Sequence, residues 1–312
     1  MVPILVTGGA GNVASALVAK LATNPENQIV VADNLSTGDI RKVPQQLDNV
    51  RFIKCDVNNY EDISPLFFAY NFDYVFHYAA VVGVQRTLNN PLMVLRDIRG
   101  IENILNLSKS TGVKRVYYTS SSEVYGEPFE IPQNEHTTPL NSRLPYAIVK
   151  NVGEAFLKSY YQEFGLKYLI FRFFNTYGPN QSNDFVVPRF IQCAMKDEDI
   201  TIYGDGSQTR TFCYVDDNVE ACVSAHYSGQ VENDTINIGS DMEYSIKELA
   251  DKVIKITGSK SKIVYLPALE EGDMTRRKPD ITKMRSILKH DLKPLEEGIE
   301  KLIEHFKTTS AK

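Results

Sequence analysis

The sequence predicts an α/β protein with a doubly wound parallel sheet and a smaller C-terminal α/β lobe that binds the substrate. Two observations predict this fold. In the first half of the 312 residues, six short runs rich in β-branched and aromatic residues alternate with helical patterns. After about residue 175, turn signals multiply and short strands and helices mix. We therefore expect a sheet domain over 1–174 and mainly a substrate domain over 175–312, part of which can return to the sheet.

The predicted elements follow one another as a parallel sheet requires. The predicted strands are Ile4–Thr7, Ile29–Ala32, Arg51–Lys54, Tyr74–His77, Arg115–Thr119 and Tyr168–Phe171. The predicted helices are Asn12–Leu21, Glu61–Ala69, Pro91–Lys109 and Pro145–Phe164. Because parallel strands need long crossover connections, this alternation favours a sheet with helices on both faces.

Composition and charge exclude several classes of function. The net charge of −5 leaves no general basic surface for nucleic acid or an anionic membrane, so local arginines must hold any anionic substrate. The four cysteines lack C-x-x-C spacing and no two of the five histidines share a helix face, so we expect no metal site. The N-terminus has neither a basic segment nor a long apolar stretch. We expect a soluble, cytoplasmic protein.

A glycine run follows the first strand and starts the first helix. It reads Thr7-Gly8-Gly9-Ala10-Gly11-Asn12-Val13-Ala14. Glycine permits a tight turn and close approach to a pyrophosphate, which the helix N-terminus also favours. The context predicts a Rossmann-type domain with a dinucleotide held by Gly8, Gly9, Gly11, Asn12 and Val13.

Acidic residues after the next two strands indicate which dinucleotide is bound. Asp33, followed by Asn34, closes the second strand, where a carboxylate accepts a ribose hydroxyl and repels a 2′-phosphate. The sequence therefore predicts NAD rather than NADP. Asp56 and Val57 follow the third strand and are candidates for contact with the adenine, although such aspartates also serve as simple caps.

A tyrosine and a lysine form the candidate catalytic pair. Tyr146 and Lys150 are four residues apart and share one helix face. They follow a strand that ends in hydroxyls at Thr119-Ser120-Ser121-Ser122, at the edge where such sheets bind ligands. Removing a hydride from a carbinol requires a base for the hydroxyl proton. A nearby ammonium favours the phenolate, so we expect Lys150 to lower the pKa of Tyr146.

These motifs together resemble the extended short-chain dehydrogenases/reductases, and more narrowly the NAD-dependent nucleotide-sugar epimerase/dehydratase family. The resemblance also rests on His77-Tyr78-Ala79-Ala80 and on Arg172-Phe173-Phe174-Asn175-Thr176-Tyr177-Gly178-Pro179. It implies that Tyr146 is the base, Lys150 its partner and Ser121 the hydroxyl that orients the substrate. It further implies that Tyr78, Ala79 and Ala80 contact an NAD that can stay tightly bound. A homodimer formed through two helices, one of them Tyr146–Phe164, is also implied.

The second half carries the candidate substrate contacts. Gly204-Asp205-Gly206-Ser207-Gln208-Thr209-Arg210 resembles the family's nucleotide-diphosphate loop, in which Arg210 can clamp a diphosphate in bidentate fashion. Arg276 and Arg277 can reach the same phosphates or form a solvated basic patch. The full set of expected substrate contacts is Ser121, Ser122, Asn175, Arg189, Tyr203, Arg210 and Arg277.

The resemblance implies oxidation of a sugar hydroxyl, most often at C4, and leaves the following step open. Ser122-Glu123 replaces the Asp-Glu pair of the dehydratases, which disfavours loss of water. We expect 4-epimerisation or release of a 4-keto sugar, in surface polysaccharide biosynthesis. Glu123 and the Arg276-Arg277-Lys278-Pro279-Asp280-Ile281 stretch resemble the UDP-glucuronate decarboxylases, which makes decarboxylation the alternative and Glu123 a catalytic candidate.

Four departures from the family pattern weaken any closer assignment. They are Val82-Gly83-Val84 after the His-x-Ala-Ala motif, Glu270 in place of a diphosphate-binding Arg, Asp97 in place of Asn, and Val149 beside Lys150. Two other functions stay open. A non-catalytic NAD sensor would need none of Tyr146, Lys150 and Ser121. A dehydrogenase for a small free alcohol would turn over nucleotide sugars only weakly.

Overall fold

A seven-stranded parallel sheet organises the protein. The computed structural model describes residues 1–268 and 276–310. In the sheet, the strand order is β11-β6-β5-β4-β1-β2-β3, and every neighbouring pair is parallel. These strands are β1 (Val2–Thr7), β2 (Asn27–Asp33), β3 (Val50–Lys54), β4 (Tyr74–His77), β5 (Arg115–Ser121), β6 (Tyr168–Phe173) and β11 (Asp234–Ile238).

Short strand pairs and helices complete the described elements. The remaining strands are β7 (Thr176–Tyr177), β8 (Ile200–Tyr203), β9 (Thr209–Thr211), β10 (Cys213–Tyr214), β12 (Glu243–Ser245) and β13 (Ile263–Leu266). The helices are α1 (Asn12–Leu21), α2 (Tyr60–Tyr70), α3 (Val84–Asn89), α4 (Pro91–Leu95), α5 (Asp97–Thr111), α6 (Pro145–Phe164), α7 (Val186–Met195), α8 (Val215–Ser228), α9 (Ile246–Thr257), α10 (Thr282–Ile287) and α11 (Leu295–Ser310).

Alternation along the strands builds a separate core on each face of the sheet. Val6 and Val31 face α1 and α8, whereas Leu5 and Val30 face α2, α5 and α6. All four side chains are buried because helices cover both faces. Elements after residue 175 pack α7 against α9 and α11, and β8 pairs with β13 beside them.

The structure confirms the predicted fold class and corrects two details. All six predicted strands and the helices Asn12–Leu21 and Pro145–Phe164 are present. The sheet gains β11 from the segment after residue 175, which our strand prediction omitted. The single helix predicted over Pro91–Lys109 is wrong: α4 and α5 are separate. The two helices are divided at Arg96, whose carbonyl accepts a hydrogen bond from the Arg99 amide. The Asp97 carboxylate at the start of α5 accepts from the Val81 amide at 2.8 Å.

In the described part of the chain, no helix is both long enough and apolar enough to span a membrane. Within the same residues, no group of three or more His, Cys, Asp or Glu side chains is placed to hold a metal ion. Helix α6 leaves Ile148, Tyr161 and Phe164 exposed. The cytoplasmic location and the homodimer through this helix stay predictions.

Helix α6 can pack closely on the sheet only because residue 153 is glycine. A Cβ on Gly153 would lie 2.3 Å from the Tyr118 hydroxyl, and Tyr118 is buried and stacked on His77. We expect Gly153→Ala to lower the free energy of unfolding by about 1–3 kcal/mol, although alanine is the better helix former. Urea unfolding measures the change. Ser159→Ala, at an exposed position of the same helix, is the control, and equal stability of the two variants would contradict this packing.

Candidate active site

The predicted site residues converge on one cleft at the carboxyl ends of the strands. The cleft, of about 990 Å³, lies between the sheet and the elements that follow residue 175. Parallel sheets bind ligands at this edge because the loops after neighbouring strands meet there. Of the site residues predicted above, Gly9 and the alternative phosphate contact Arg276 do not line the cleft, and the others do.

The glycine turn forms one end of the cleft. Gly8 has φ +68°, and a Cβ on it would lie 2.7 Å from the Ala79 backbone. Gly11 precedes α1 in extended conformation with no side-chain cap, so the first amides of the helix remain available to an anion. Gly9 instead faces Val31, whose Cγ1 is 2.5 Å from where a Cβ would stand. Its role is therefore packing between the turn and β2.

Two carboxylates border the same end of the cleft. The Asp33 carboxylate accepts from the Ala10 amide at 3.0 Å and from the Leu35 amide at 2.7 Å, which fixes it beside the glycine turn. Each oxygen retains acceptor capacity for a ribose hydroxyl. Asp56 accepts from the Asn34 amide nitrogen at 3.3 Å. The glycine cradle, the helix terminus and the fixed carboxylate fit a dinucleotide without a 2′-phosphate, and NAD supplies hydride acceptance when bound.

The Lys150 ammonium lies beneath the cleft, where a backbone carbonyl and an aromatic ring contact it. Its Nζ donates to the Thr119 carbonyl at 2.7 Å and lies 5.0 Å from the centre of the Tyr118 ring. Only 4% of the residue is exposed. Burial lowers the pKa of Lys150 to about 8, and the charge of Asp97 opposes this shift. An ammonium has three donors, so Lys150 can also serve a ribose hydroxyl in the cleft.

Tyr146 stands one helical turn from Lys150, with 5.8 Å between the Lys150 Nζ and the Tyr146 ring centre. The expectation that Lys150 lowers the pKa of Tyr146 is not met in the protein alone. Burial and then the Glu123 charge raise the pKa of Tyr146 above its ordinary value, whereas a hydrogen bond with Ser121 lowers it. Burial and the Glu123 charge therefore favour the protonated phenol, whereas a positive charge nearby favours the phenolate.

A buried ion pair occupies the cleft beside Tyr146. The Arg277 Nη1 lies 2.8 Å from the Glu123 Oε1, with side-chain exposures of 7% and 15%. Glu123 belongs to the 3-10 helix Ser122–Tyr125, which starts because the Ser121 hydroxyl accepts from the Glu123 amide at 3.2 Å. Sequence analysis selected both residues, but it could not pair them because they are 154 positions apart (277 − 123).

The substrate-side residues have distinct surroundings. Arg210 is buried and donates to the Thr209 carbonyl at 2.7 Å. Asn175 has a left-handed backbone with φ 35°, and its side chain donates to the Thr211 carbonyl at 3.0 Å, which ties β6 to the Arg210 strand. Arg189 lies 5.9 Å from the centre of the Tyr203 ring. These contacts place three cationic or stacking groups around one end of the cleft.

Two contacts between residues that line the cleft were not predicted from the sequence. The Lys42 ammonium donates to the Asn180 carbonyl at 2.9 Å, and Arg86 forms an ion pair with Asp184 at 3.3 Å. All four residues line the cleft. Lys42, Arg86 and Asp184 have the composition of ordinary surface residues, so nothing in the sequence indicated these contacts. Arg276 pairs instead with Glu243 outside the cleft lining, and Glu270 lies outside the described residues.

Fold and site together define an enzyme of the extended short-chain dehydrogenase/reductase class that uses NAD. A family model described as the NAD dependent epimerase/dehydratase family matches residues 4–239. The chain is 35% identical over 311 residues to UDP-glucuronic acid decarboxylase 1 of Danio rerio, which covers 97% of this chain and 72% of that protein. It is 34% identical over 317 residues to UDP-N-acetyl-alpha-D-glucosaminuronate decarboxylase of Bacillus cytotoxicus, with 97% of each chain covered.

A solved structure gives the same assignment. The UDP-glucose 4-epimerase of Thermotoga maritima, crystallised with UDP-glucose, matches with a TM-score of 0.92 at 32% identity and 99% coverage of each chain. The protein therefore belongs to the NAD-dependent epimerase/dehydratase family. The resemblance inferred from the motifs is confirmed, as are the enzyme class and the NAD cofactor.

Burial of the charged Lys150 is expected to lower the free energy of unfolding although turnover requires this residue. Its pKa falls from 10.5 to about 8 on folding, so the folded protein binds fewer protons than the unfolded chain between these pH values. The cost of burying the charge is therefore full below pH 8 and disappears as the pH rises towards 10.5. We expect Lys150→Met to abolish turnover and to raise the free energy of unfolding at pH 7 by about 1–3 kcal/mol.

Urea unfolding of Lys150→Met and wild type at pH 7 and at pH 10 measures this effect. Lys158→Met, at an exposed position of the same helix, is the control and should change stability little at either pH. A Lys150→Met protein that is less stable than wild type at pH 7 would show that the ammonium contributes net stability, contrary to this account.

Proposed function

We propose that the protein oxidises C4 of a nucleotide-diphosphate hexuronic acid and releases carbon dioxide from the resulting ketone. The Glu123–Arg277 ion pair carries this proposal. A buried ion pair is costly to build and adds little net stability, so stability alone gives little reason for this one. Here it lies in the cleft near enough to Tyr146 to influence the pKa of that phenol. An arginine in this position can take a carboxylate of the substrate in bidentate fashion.

The first step uses the residues around Tyr146. Tyr146 would take the C4 hydroxyl proton, and NAD held at the glycine turn and Asp33 would supply the acceptor for the C4 hydride. Ser121, which hydrogen-bonds Tyr146, is placed to hold the substrate oxygen in line with the base. Because Tyr146 is protonated in the protein alone, binding of positive charge at the nicotinamide end favours the phenolate. Tyr146 therefore becomes a base only in the loaded site.

The second step follows from the chemistry of the ketone. A 4-keto hexuronic acid is a β-keto acid, so the bond between C5 and the carboxyl carbon breaks to give carbon dioxide and an enolate. Arg277 orients that carboxylate and Glu123 fixes the guanidinium. The enolate takes a proton at C5, and Tyr146 would return its proton to the C4 oxygen as the reduced cofactor would supply the hydride for C4. The net reaction consumes the uronic acid and one proton and yields a pentose and carbon dioxide.

Arginines that line the cleft support binding of the diphosphate group of the substrate. Arg210 and Arg189 line it in a chain whose net charge is −5, so they supply local positive potential for an anion. Tyr203 offers an aromatic face beside Arg189. The relatives named as decarboxylases act on UDP-linked uronic acids by their names, which supports a UDP-linked substrate here.

A second candidate function is 4-epimerisation without loss of carbon. The similarity to the UDP-glucose 4-epimerase of Thermotoga maritima over the whole chain favours it. Epimerisation needs the same Tyr146, Lys150 and Ser121 but no cation at the sixth carbon. The ion pair therefore separates the two candidates, since only the decarboxylase gives Arg277 a carboxylate to bind.

Product analysis tests the proposal. We expect UDP-glucuronate incubated with the enzyme and NAD to lose carbon dioxide and yield a UDP-pentose, and UDP-glucose to be left largely unchanged. Mass spectrometry of the nucleotide sugars distinguishes the outcomes. A product of unchanged mass and altered chromatography would establish the epimerase instead, and loss of two hydrogens would establish a net dehydrogenase.

Neighbouring arginines give a matched test of the second step. We expect Arg277→Met to lower the rate of carbon dioxide release by about a hundredfold or more, because a misplaced carboxylate loses alignment with the ketone. Arg276→Met should retain that rate within about threefold, since Arg276 pairs with Glu243 away from the cleft. The release of carbon dioxide from labelled UDP-glucuronate is measured. Equal losses in the two variants would remove Arg277 from the reaction.

A further inference from the structure

A second buried ion pair lies behind the cleft and is not used by the chemistry above. Arg172 of β6 binds Glu154 of α6 through Nε to Oε1 at 2.8 Å and Nη2 to Oε2 at 2.7 Å. Both side chains are at most 2% exposed. Ser120 donates to the same carboxylate at 2.6 Å. Glu154 follows Lys150 by one helical turn, so the pair joins the catalytic helix to two strand ends.

Tyr125 continues this network towards Glu123. The third arginine nitrogen, Arg172 Nη1, donates to the Tyr125 hydroxyl at 2.8 Å. That hydroxyl donates to the Asn237 side-chain oxygen at 2.7 Å. Tyr125 is fully buried and belongs to the same 3-10 helix, Ser122–Tyr125, that carries Glu123. Burial raises the pKa of Tyr125 to about 12, so the hydroxyl keeps the proton that it donates to Asn237.

Asn237 completes the connection to the Arg277 segment. Its side-chain nitrogen donates to the Gln133 carbonyl at 2.9 Å and to the Asp280 carbonyl at 3.2 Å. The Gln133 amide in turn donates to the carbonyl of Lys278, the residue after Arg277, at 2.8 Å. The chain of bonds from Arg172 through Tyr125 to Asn237 therefore links the 3-10 helix that carries Glu123 to the backbone at Asp280, three residues after Arg277.

We propose that Tyr125 is a positioning residue that holds the Glu123–Arg277 pair in register with Tyr146 and Lys150. It is the one described side chain that accepts from Arg172 and donates to Asn237, so it connects the α6 end of the network to the end beside Arg277. Its hydroxyl is buried away from the cleft lining and touches no reacting atom. The inference rests on the proposed function, in which that pair serves the step after oxidation.

The consequence is a separation of the two steps. Removing the Tyr125 hydroxyl leaves Tyr146, Lys150 and Ser121 on their own elements, so oxidation continues. The Glu123–Arg277 pair loses its register, so completion of the reaction slows and the reduced cofactor persists. A merely structural residue would instead lower both steps together through loss of folded protein.

Single-turnover absorbance of NADH in the NAD-loaded enzyme mixed with UDP-glucuronate tests the separation. For Tyr125→Phe we expect the rise of NADH to stay within about threefold of wild type and its decay to slow by about tenfold to a hundredfold. Tyr117→Phe is the matched control. Tyr117 is also fully buried and its hydroxyl is 2.7 Å from His226 Nδ1, but it is outside the cleft and this network. Tyr117→Phe should change neither phase by more than about threefold.

A double-mutant cycle shows whether Tyr125 acts through Glu123. In a Glu123→Gln background, Tyr125→Phe should slow the decay by less than about twofold further, because the pair it positions is already broken. An equal loss in both backgrounds, or equal slowing of the rise and the decay, overturns the proposal. If Tyr125→Phe is unfolded by circular dichroism, Asn237→Ser, which breaks the other end of the link, enters the same cycle under the same criteria.

The experiment also separates this inference from the proposed function. A wild type that reduces NAD with UDP-glucuronate but releases no carbon dioxide contradicts the decarboxylase and leaves the rise and decay phases to decide the role of Tyr125. A wild type that reduces NAD with neither UDP-glucuronate nor UDP-glucose overturns both proposals.

Discussion

The Glu154–Arg172 ion pair is the interaction on which the arrangement of this site depends. It joins helix α6, which carries Tyr146 and Lys150, to the carboxyl end of β6 in the protein interior. Such a pair repays its desolvation only when its geometry is good and its remaining donors are satisfied. Here the guanidinium makes bonds to Glu154, Tyr125 and the Glu135 carbonyl, so every nitrogen has a partner. The position of the catalytic helix is thereby fixed by directional bonds as well as by packing.

Burial has different effects on the ionisable groups of the site. The Lys150 ammonium has no carboxylate hydrogen-bonded to it in the described residues and is stabilised by a carbonyl and an aromatic face, which keeps its charge directed at the cleft. The Glu123–Arg277 pair is electrically balanced, so neither charge is buried alone. Tyr146 is protonated by default. Burial and the Glu123 charge both favour this protonated phenol.

Local patterns were sufficient to predict most of the fold and most of the predicted site residues that line the cleft. The alternation of strands and helices, the glycine run before Asn12 and the Tyr146–Lys150 spacing are all properties of short segments, and each is found where it was predicted. Strand β11 was missed because Asp234–Ile238 lies among turn signals and pairs with β6, which is distant in sequence. The division between α4 and α5 falls at Arg96, which keeps helical backbone angles (φ −65°, ψ −24°), so residue type alone does not mark it. The direction of the Tyr146 pKa shift depends on burial and on Glu123, neither of which the helical spacing of Tyr146 and Lys150 reveals.

Isotope transfer from C4 tests the central claim most directly. A nucleotide sugar carrying deuterium at C4 is mixed with NAD-loaded enzyme, quenched within one turnover, and the cofactor is analysed by mass spectrometry. The account predicts that deuterium appears on the reduced cofactor, whichever net product follows. Reduced cofactor without deuterium would mean that another carbon is oxidised, and the roles assigned to Tyr146, Ser121 and the Glu123–Arg277 pair would then be wrong.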